Sequence, residues 1–131
     1  MKLSAMSRWI VFPGVLAGFL LHVFTCFYLP EGGPNGFTLG LFAVSILPYL
    51  ACLIAGLSSA RGALMAVCAL VPVLLLDIAA FNEAIISPTT STSALVLLVV
   101  PVFNLGVVVL GFLLGWITFA LLRRNASERT L

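Results

Sequence analysis

A chain of 131 residues that is 63% hydrophobic and 8% charged stands far from soluble domains, which run roughly 45–50% apolar and about 25% charged. A water-soluble fold of this length buries only about two-thirds of its chain surface and could not hide so much apolar area, whereas lipid removes the difficulty. The net charge of +2 comes from scattered basic residues rather than a stripe, which argues against nucleic acid and leaves membrane lipids as the surrounding partner.

A helix needs about 20 apolar residues to cross roughly 30 Å of hydrocarbon. Four stretches qualify, at about 9–29, 37–57, 63–86 and 95–122. They predict one all-α transmembrane domain over 1–131, an integral membrane four-helix antiparallel bundle. Antiparallel neighbours follow from the short connections PEGGPNG (30–36), SSARG (58–62) and SPTTSTS (87–93), all rich in turn-forming residues.

The first stretch is longer than the roughly 7–15 apolar residues of a signal peptide, and no small-x-small cleavage site follows it, so it is expected to stay as a helix. Pro13 falls in its opening turns, where a missing N–H costs little. Gly14, Gly18, His22 and Thr25 recur at helical spacing and share one face. The second stretch carries Ser45, Tyr49, Cys52 and Gly56 by the same rule. In the third, Asp77, Asn82 and Glu83 interrupt the apolar run, but residues 63–76 alone are too short to cross. The helix is therefore extended to about 86, with a stripe of Ala66, Ala69, Val73, Asp77, Ala80 and Ala84. The fourth stretch is about 42 Å long at 1.5 Å per residue, so it must tilt, kink or project beyond the hydrocarbon. Its stripe is Asn104, Val108, Gly111, Gly115 and Thr118. Interior Pro48, Pro72 and Pro101 are expected to kink their helices and free a carbonyl each. Trp9, Trp116, Phe27 and Tyr28 suit the membrane interfaces.

Charge sets the orientation. With four spans, Lys2, Arg8, Arg61, Arg123, Arg124 and Arg129 all fall on one side, with Glu31 and Glu83 on the other. The positive-inside rule then puts both termini in the cytoplasm. Compactness and short loops suggest a bacterial inner (plasma) membrane. The sequon Asn125-Ala126-Ser127 falls on the cytoplasmic side and is not expected to be glycosylated.

Lipid gives apolar side chains no reason to leave it, so the small and polar stripes should face protein, with Gly14, Gly18, Gly111 and Gly115 as the close-packing positions. Depth places His22, Ser45, Asp77 and Asn104 in one layer, roughly 10–14 Å below the outer surface. A carboxylate there costs at least about 2.5–3.5 kcal/mol, so Asp77 should be protonated or paired, with His22 and Asn104 as its natural partners. The layer is either a hydrogen-bonded clamp or a relay for a proton or cation.

No catalytic motif, phosphate loop or suitably spaced carboxylate pair occurs, so no enzyme is expected and no cofactor is implied. Cys26, Cys52 and Cys68 lack metal-ligand spacing and read as free thiols, with no metal site. Two functions follow. The first is binding to another membrane protein through helix faces, as an accessory or regulatory subunit or as an immunity-type blocker of a pore-forming protein. The alternative is a small oligomeric proton- or cation-coupled transporter or channel using Asp77. The partner is accordingly a second membrane protein or further copies of this chain.

Overall fold

The computed structural model describes residues 2–30, 32–91 and 93–128, with side chains described for 8–30, 32–91 and 93–126. Glu31, Arg129 and the side chains of Lys2 and Ser127 lie outside them. Among the described residues the fold is all-helical, without strands. Four helices are long and apolar enough to cross a membrane.

Helix α1 spans Lys2–Val23, α2 Gly36–Ser58, α3 Ala60–Phe81 and α4 Val96–Glu128. Each of α1 and α3 is prolonged by one wider π-helical turn, Phe24–Tyr28 and Asn82–Ile86. These turns close through Leu29 N–H to the Phe24 carbonyl at 3.3 Å and Ser87 N–H to the Asn82 carbonyl at 2.8 Å. The second π turn carries α3 to residue 86, the length that its polar interruption left in question. A short 3-10 turn, Ser93–Leu95, leads into α4.

Three boundaries differ from the sequence expectation. Helix α1 starts at Lys2 rather than near residue 9, because KLSAMSR holds no helix breaker and is built largely of good formers. Helix α4 continues past 122 to Glu128, carrying Arg123 and Arg124 on helix. The expected loop at 58–62 shrinks to a single residue. Ser59 adopts extended backbone between α2 and α3, and its side chain accepts the Gly62 N–H at 3.0 Å. The segment has loop composition, but Ala60 and Arg61 are strong helix formers and one capping serine suffices to restart the helix.

Before α2, Gly32 and Gly33 take positive φ angles of 98° and 83°, a conformation glycine adopts without steric cost. Asn35 then closes a capping box. Its Oδ1 accepts the N–H groups of Phe37 and Thr38, both at 3.0 Å, while Thr38 Oγ1 accepts the Asn35 N–H at 2.9 Å. At the α3–α4 connection, Glu83 Oε1 accepts from Thr89 Oγ1, from Ser93 Oγ at 2.9 Å and from the Thr89 N–H at 3.4 Å. Each helix runs unbroken through its proline.

The core is narrow and built of small residues: Ala63, Ala66, Ala69, Cys52, Val73 and Leu70 are almost fully buried, with Tyr49 among them. Helix α3 is central, packing against α1, α2 and α4. Large apolar side chains face outward on every helix, for example Leu16, Ile54, Leu75 and Leu110, the pattern of a chain whose exterior is lipid.

Candidate functional site

Small residues bring the backbones close enough for polar side chains to meet. A Cβ at Gly14 would lie 2.6 Å from Leu70 Cδ2, and one at Gly18 would lie 2.6 Å from Tyr49 Cδ1. At Gly111 it would lie 2.8 Å from both Cβ and N of Ala69, and at Gly115 2.5 Å from Met65 Cα. All four glycines predicted for close packing are therefore spent on contacts within this chain: α1 against α2 and α3, and α4 against α3.

The stripes on α1, α2 and α3 face inward, since His22, Ser45, Tyr49, Cys52, Ala66, Ala69, Val73, Asp77 and Ala80 are buried. On α4, Asn104, Val108, Gly111 and Gly115 are buried but Thr118 is exposed. Thr118 satisfies its hydroxyl within its own helix, donating to the Leu114 carbonyl at 2.8 Å. A threonine can do this at any helix surface, so a small polar residue at stripe spacing need not face protein.

The carboxyl group of Asp77 is the meeting point of the four helices. Tyr49 of α2 donates its hydroxyl to Oδ2. His22 of α1 puts Nε2 3.1 Å from the same oxygen, where the tautomer protonated on Nε2 donates. Asn104 of α4 donates Nδ2–H to Oδ1 at 2.8 Å. The rings of His22 and Tyr49 meet edge-on at 5.6 Å. His22–Asp77 is also an ion pair when the imidazole is charged. All four residues are buried, none more than 7% exposed.

Of the polar residues predicted to share a layer, His22, Asp77 and Asn104 thus touch directly. Ser45 does not join them. Among the described residues its hydroxyl is buried without a hydrogen-bond partner, as is Asn104 Oδ1. Ser45 instead lines a cavity of about 40 Å³ together with His22, Thr25, Asp77, Leu97 and Pro101. Pro101 has no N–H, so the Leu97 carbonyl lacks its usual donor one turn on. Tyr49 is the member that sequence reasoning did not assign to the layer. It lies one turn after Ser45 on the same face, which was the available signal.

The thiols of Cys26, Cys52 and Cys68 are unpaired by disulfides. Among the described residues no group of three His, Cys, Asp or Glu side chains gathers as a metal site would require. At the opposite end from the Glu83 connection, the α2–α3 corner gathers basic residues. Arg8 shares a cavity with Leu57, and Arg61 and Arg123 share another with Ser58.

Fold and site together define a class: four membrane-length apolar helices around one buried ionisable centre. The sequence matches no protein-family model, and no curated protein or solved structure is significantly similar to it.

Proposed function

We propose that this chain is a small, non-enzymatic membrane protein whose Asp77 centre binds and passes a proton, working as an oligomeric proton-coupled transporter or channel. The observation that carries the reading is the convergence of His22, Tyr49 and Asn104 on one intramembrane carboxyl beside a cavity with an unpartnered serine hydroxyl. Intramembrane ionisable groups are rare and mark ion and proton pathways. Carboxyl, imidazole and phenol are all proton carriers, and only one of them is a carboxylate, which favours a proton over a metal cation. The cavity, at about 40 Å³, has room for a few water-sized spheres at roughly 10–15 Å³ each, enough to relay a proton and too little for an organic substrate.

In this reading the helices form an antiparallel bundle in a bacterial inner membrane with both termini cytoplasmic. The gathering of Arg8, Arg61 and Arg123 about the α2–α3 corner supports that orientation through the positive-inside rule. The test is proton flux into liposomes holding the purified chain, followed with an entrapped pH-sensitive dye. Asp77→Asn should abolish the flux while the protein keeps its helical circular dichroism and monodisperse elution. Unchanged flux in Asp77→Asn would sink the reading, and flux that follows a sodium gradient instead would replace the proton by a cation.

A second reading keeps the chain as a binding protein, an accessory or regulatory subunit or an immunity-type blocker docked on another membrane protein. Its support is an outward small-residue face on α2. Gly36 and Gly40 have open space where a side chain would stand, and Ala43 is exposed on the same side, a pattern suited to close helix approach. Crosslinking from Ala43→Cys in native membranes separates the two, because a transporter of this chain alone yields only self-adducts.

A further inference from the structure

Two arginines from different helices share one aromatic ring at the basic end of the fold. Arg61, in the first turn of α3, holds its guanidinium carbon 5.5 Å from the centre of the Phe119 ring, and Arg123 of α4 lies 6.0 Å from the same ring. Phe119 and Arg123 are one turn apart, so the ring and the second cation move together. Neither arginine has a carboxylate within ion-pair distance among the described residues. Two like charges therefore border one ring and one hollow with no described carboxylate beside them, an arrangement that an anion entering the hollow would relieve.

The space between them suits one. Arg61, Arg123, Phe119, Met65, Ser58 and Ser59 border a hollow of about 480 Å³ at the α2–α3 corner. Ser59 occupies the Gly62 N–H, which leaves the amides of Ala60 and Arg61 without intrahelical acceptors at the rim. Phe119, Met65 and Ala55 give the lining of the hollow an apolar part. Trp116 and Leu122, a turn to either side of Phe119, are exposed.

We propose that this hollow binds the phosphate headgroup of an anionic phospholipid. Guanidinium groups take phosphate oxygens in a bidentate fork and are weakly hydrated, so they suit the boundary between water and hydrocarbon. The Phe119 ring lies within cation–π range of both guanidinium groups. An acyl chain entering beside Trp116 and Leu122 stays in lipid, which a soluble anion has no use for. The lipid bridges the start of α3 to the end of α4 and offsets one of the two positive charges. This site is separate from the Asp77 centre and does not depend on what that centre does.

The test uses the full chain extracted in mild detergent and native mass spectrometry of the lipid it retains. Wild type, exchanged into an equimolar mixture of phosphatidylglycerol and phosphatidylcholine, should keep phosphatidylglycerol preferentially. Arg61→Gln and Arg123→Gln should each cut that preference about fivefold, in line with the worth of one basic group at an anionic surface. Arg8→Gln, on the neighbouring cavity, should leave it unchanged. Equal retention of the two lipids by wild type overturns the proposal, as does a double Arg61→Gln/Arg123→Gln variant that keeps the preference. Excess inorganic phosphate separates the two sources of the anion. Displacement of the lipid by phosphate alone would assign the site to the free ion and overturn the lipid reading. Should the glutamine variants fail to fold, Phe119→Leu keeps both charges while removing the ring, and an unchanged preference in it overturns the role of the shared ring.

Discussion

Replacing Gly111 by alanine adds one methyl group where α4 lies against α3. That methyl would stand 2.8 Å from both the Cβ and the backbone nitrogen of Ala69, against the 3.4 Å at which ordinary contact begins. Neither neighbour can swing aside, since one is backbone and the other is fixed to it. The two helices must therefore separate by more than about half an ångström, and overpacking of this kind costs typically ~1–3 kcal/mol. Two turns away the same pair of helices holds Asn104 Nδ2–H on Asp77 Oδ1 at 2.8 Å. A matching displacement there takes the bond past the range in which N–H···O bonds are strong. Gly106 provides the internal control, because it lies on the same helix and a Cβ added to it meets nothing within 4 Å. Gly106→Ala should be neutral or slightly stabilising, since alanine is the better helix former. The assay is reversible unfolding in mixed micelles of mild detergent and dodecyl sulfate, followed by circular dichroism. Equal stability of Gly111→Ala and Gly106→Ala would refute the packing argument, whatever the sign of the shared change.

Tyr49→Phe removes one of the three partners of Asp77 while leaving the ring in place. It should destabilise the fold by about 1 kcal/mol, within the range measured for hydrogen bonds between membrane helices, and the same micelle titration reads it. It should also slow proton flux without abolishing it, because His22 and Asn104 still hold the carboxyl; loss as complete as in Asp77→Asn would make the phenol itself part of the path. For orientation, a fluorescent protein fused after Leu131 should mature in bacterial cells while an alkaline phosphatase fused there stays inactive. The opposite pair of results reverses the topology.

Hydropathy made the four helices readable in the sequence, because a membrane leaves few other arrangements for backbone hydrogen bonds. Depth along each helix was enough to bring His22, Asp77 and Asn104 to one level, and helical spacing to one face. Tyr49 escaped because a tyrosine in an apolar helix reads as packing or interface, and nothing in one sequence says which acceptor its hydroxyl reaches. The one-residue corner at Ser59 escaped for a different reason. Serine, alanine, arginine and glycine in a row have loop composition, and only geometry shows that a single extended residue turns the chain. Nor could the outward Thr118 be told from the inward Asn104, since both fit the same period. The cavity beside Ser45 depends on sub-ångström packing and on the proline at 101, neither of which spacing reveals.

The site and the glycines are coupled parts of one device. An ionised carboxylate within hydrocarbon costs at least about 2.5–3.5 kcal/mol, and bonds to a charged group return roughly 1.5–3 kcal/mol each. An ionised Asp77 therefore needs more than one partner, and here each of the other three helices brings a polar group to the carboxyl. Those donors reach Asp77 only because Gly18 leaves room for the Tyr49 ring and Gly111 lets α4 approach α3. Stability alone would be served as well by apolar side chains at these four positions, since replacing a buried polar set by well-packed hydrophobes is often neutral or favourable. A clamp therefore explains why the partners of Asp77 are present but not why Asp77 itself is. The unpartnered hydroxyl of Ser45, facing the same small cavity, adds a second polar expense that tightens nothing within the chain. The proposed proton exchange accounts for both, because water entering the cavity could take up the hydroxyl of Ser45 and carry a proton to or from the Asp77 carboxyl.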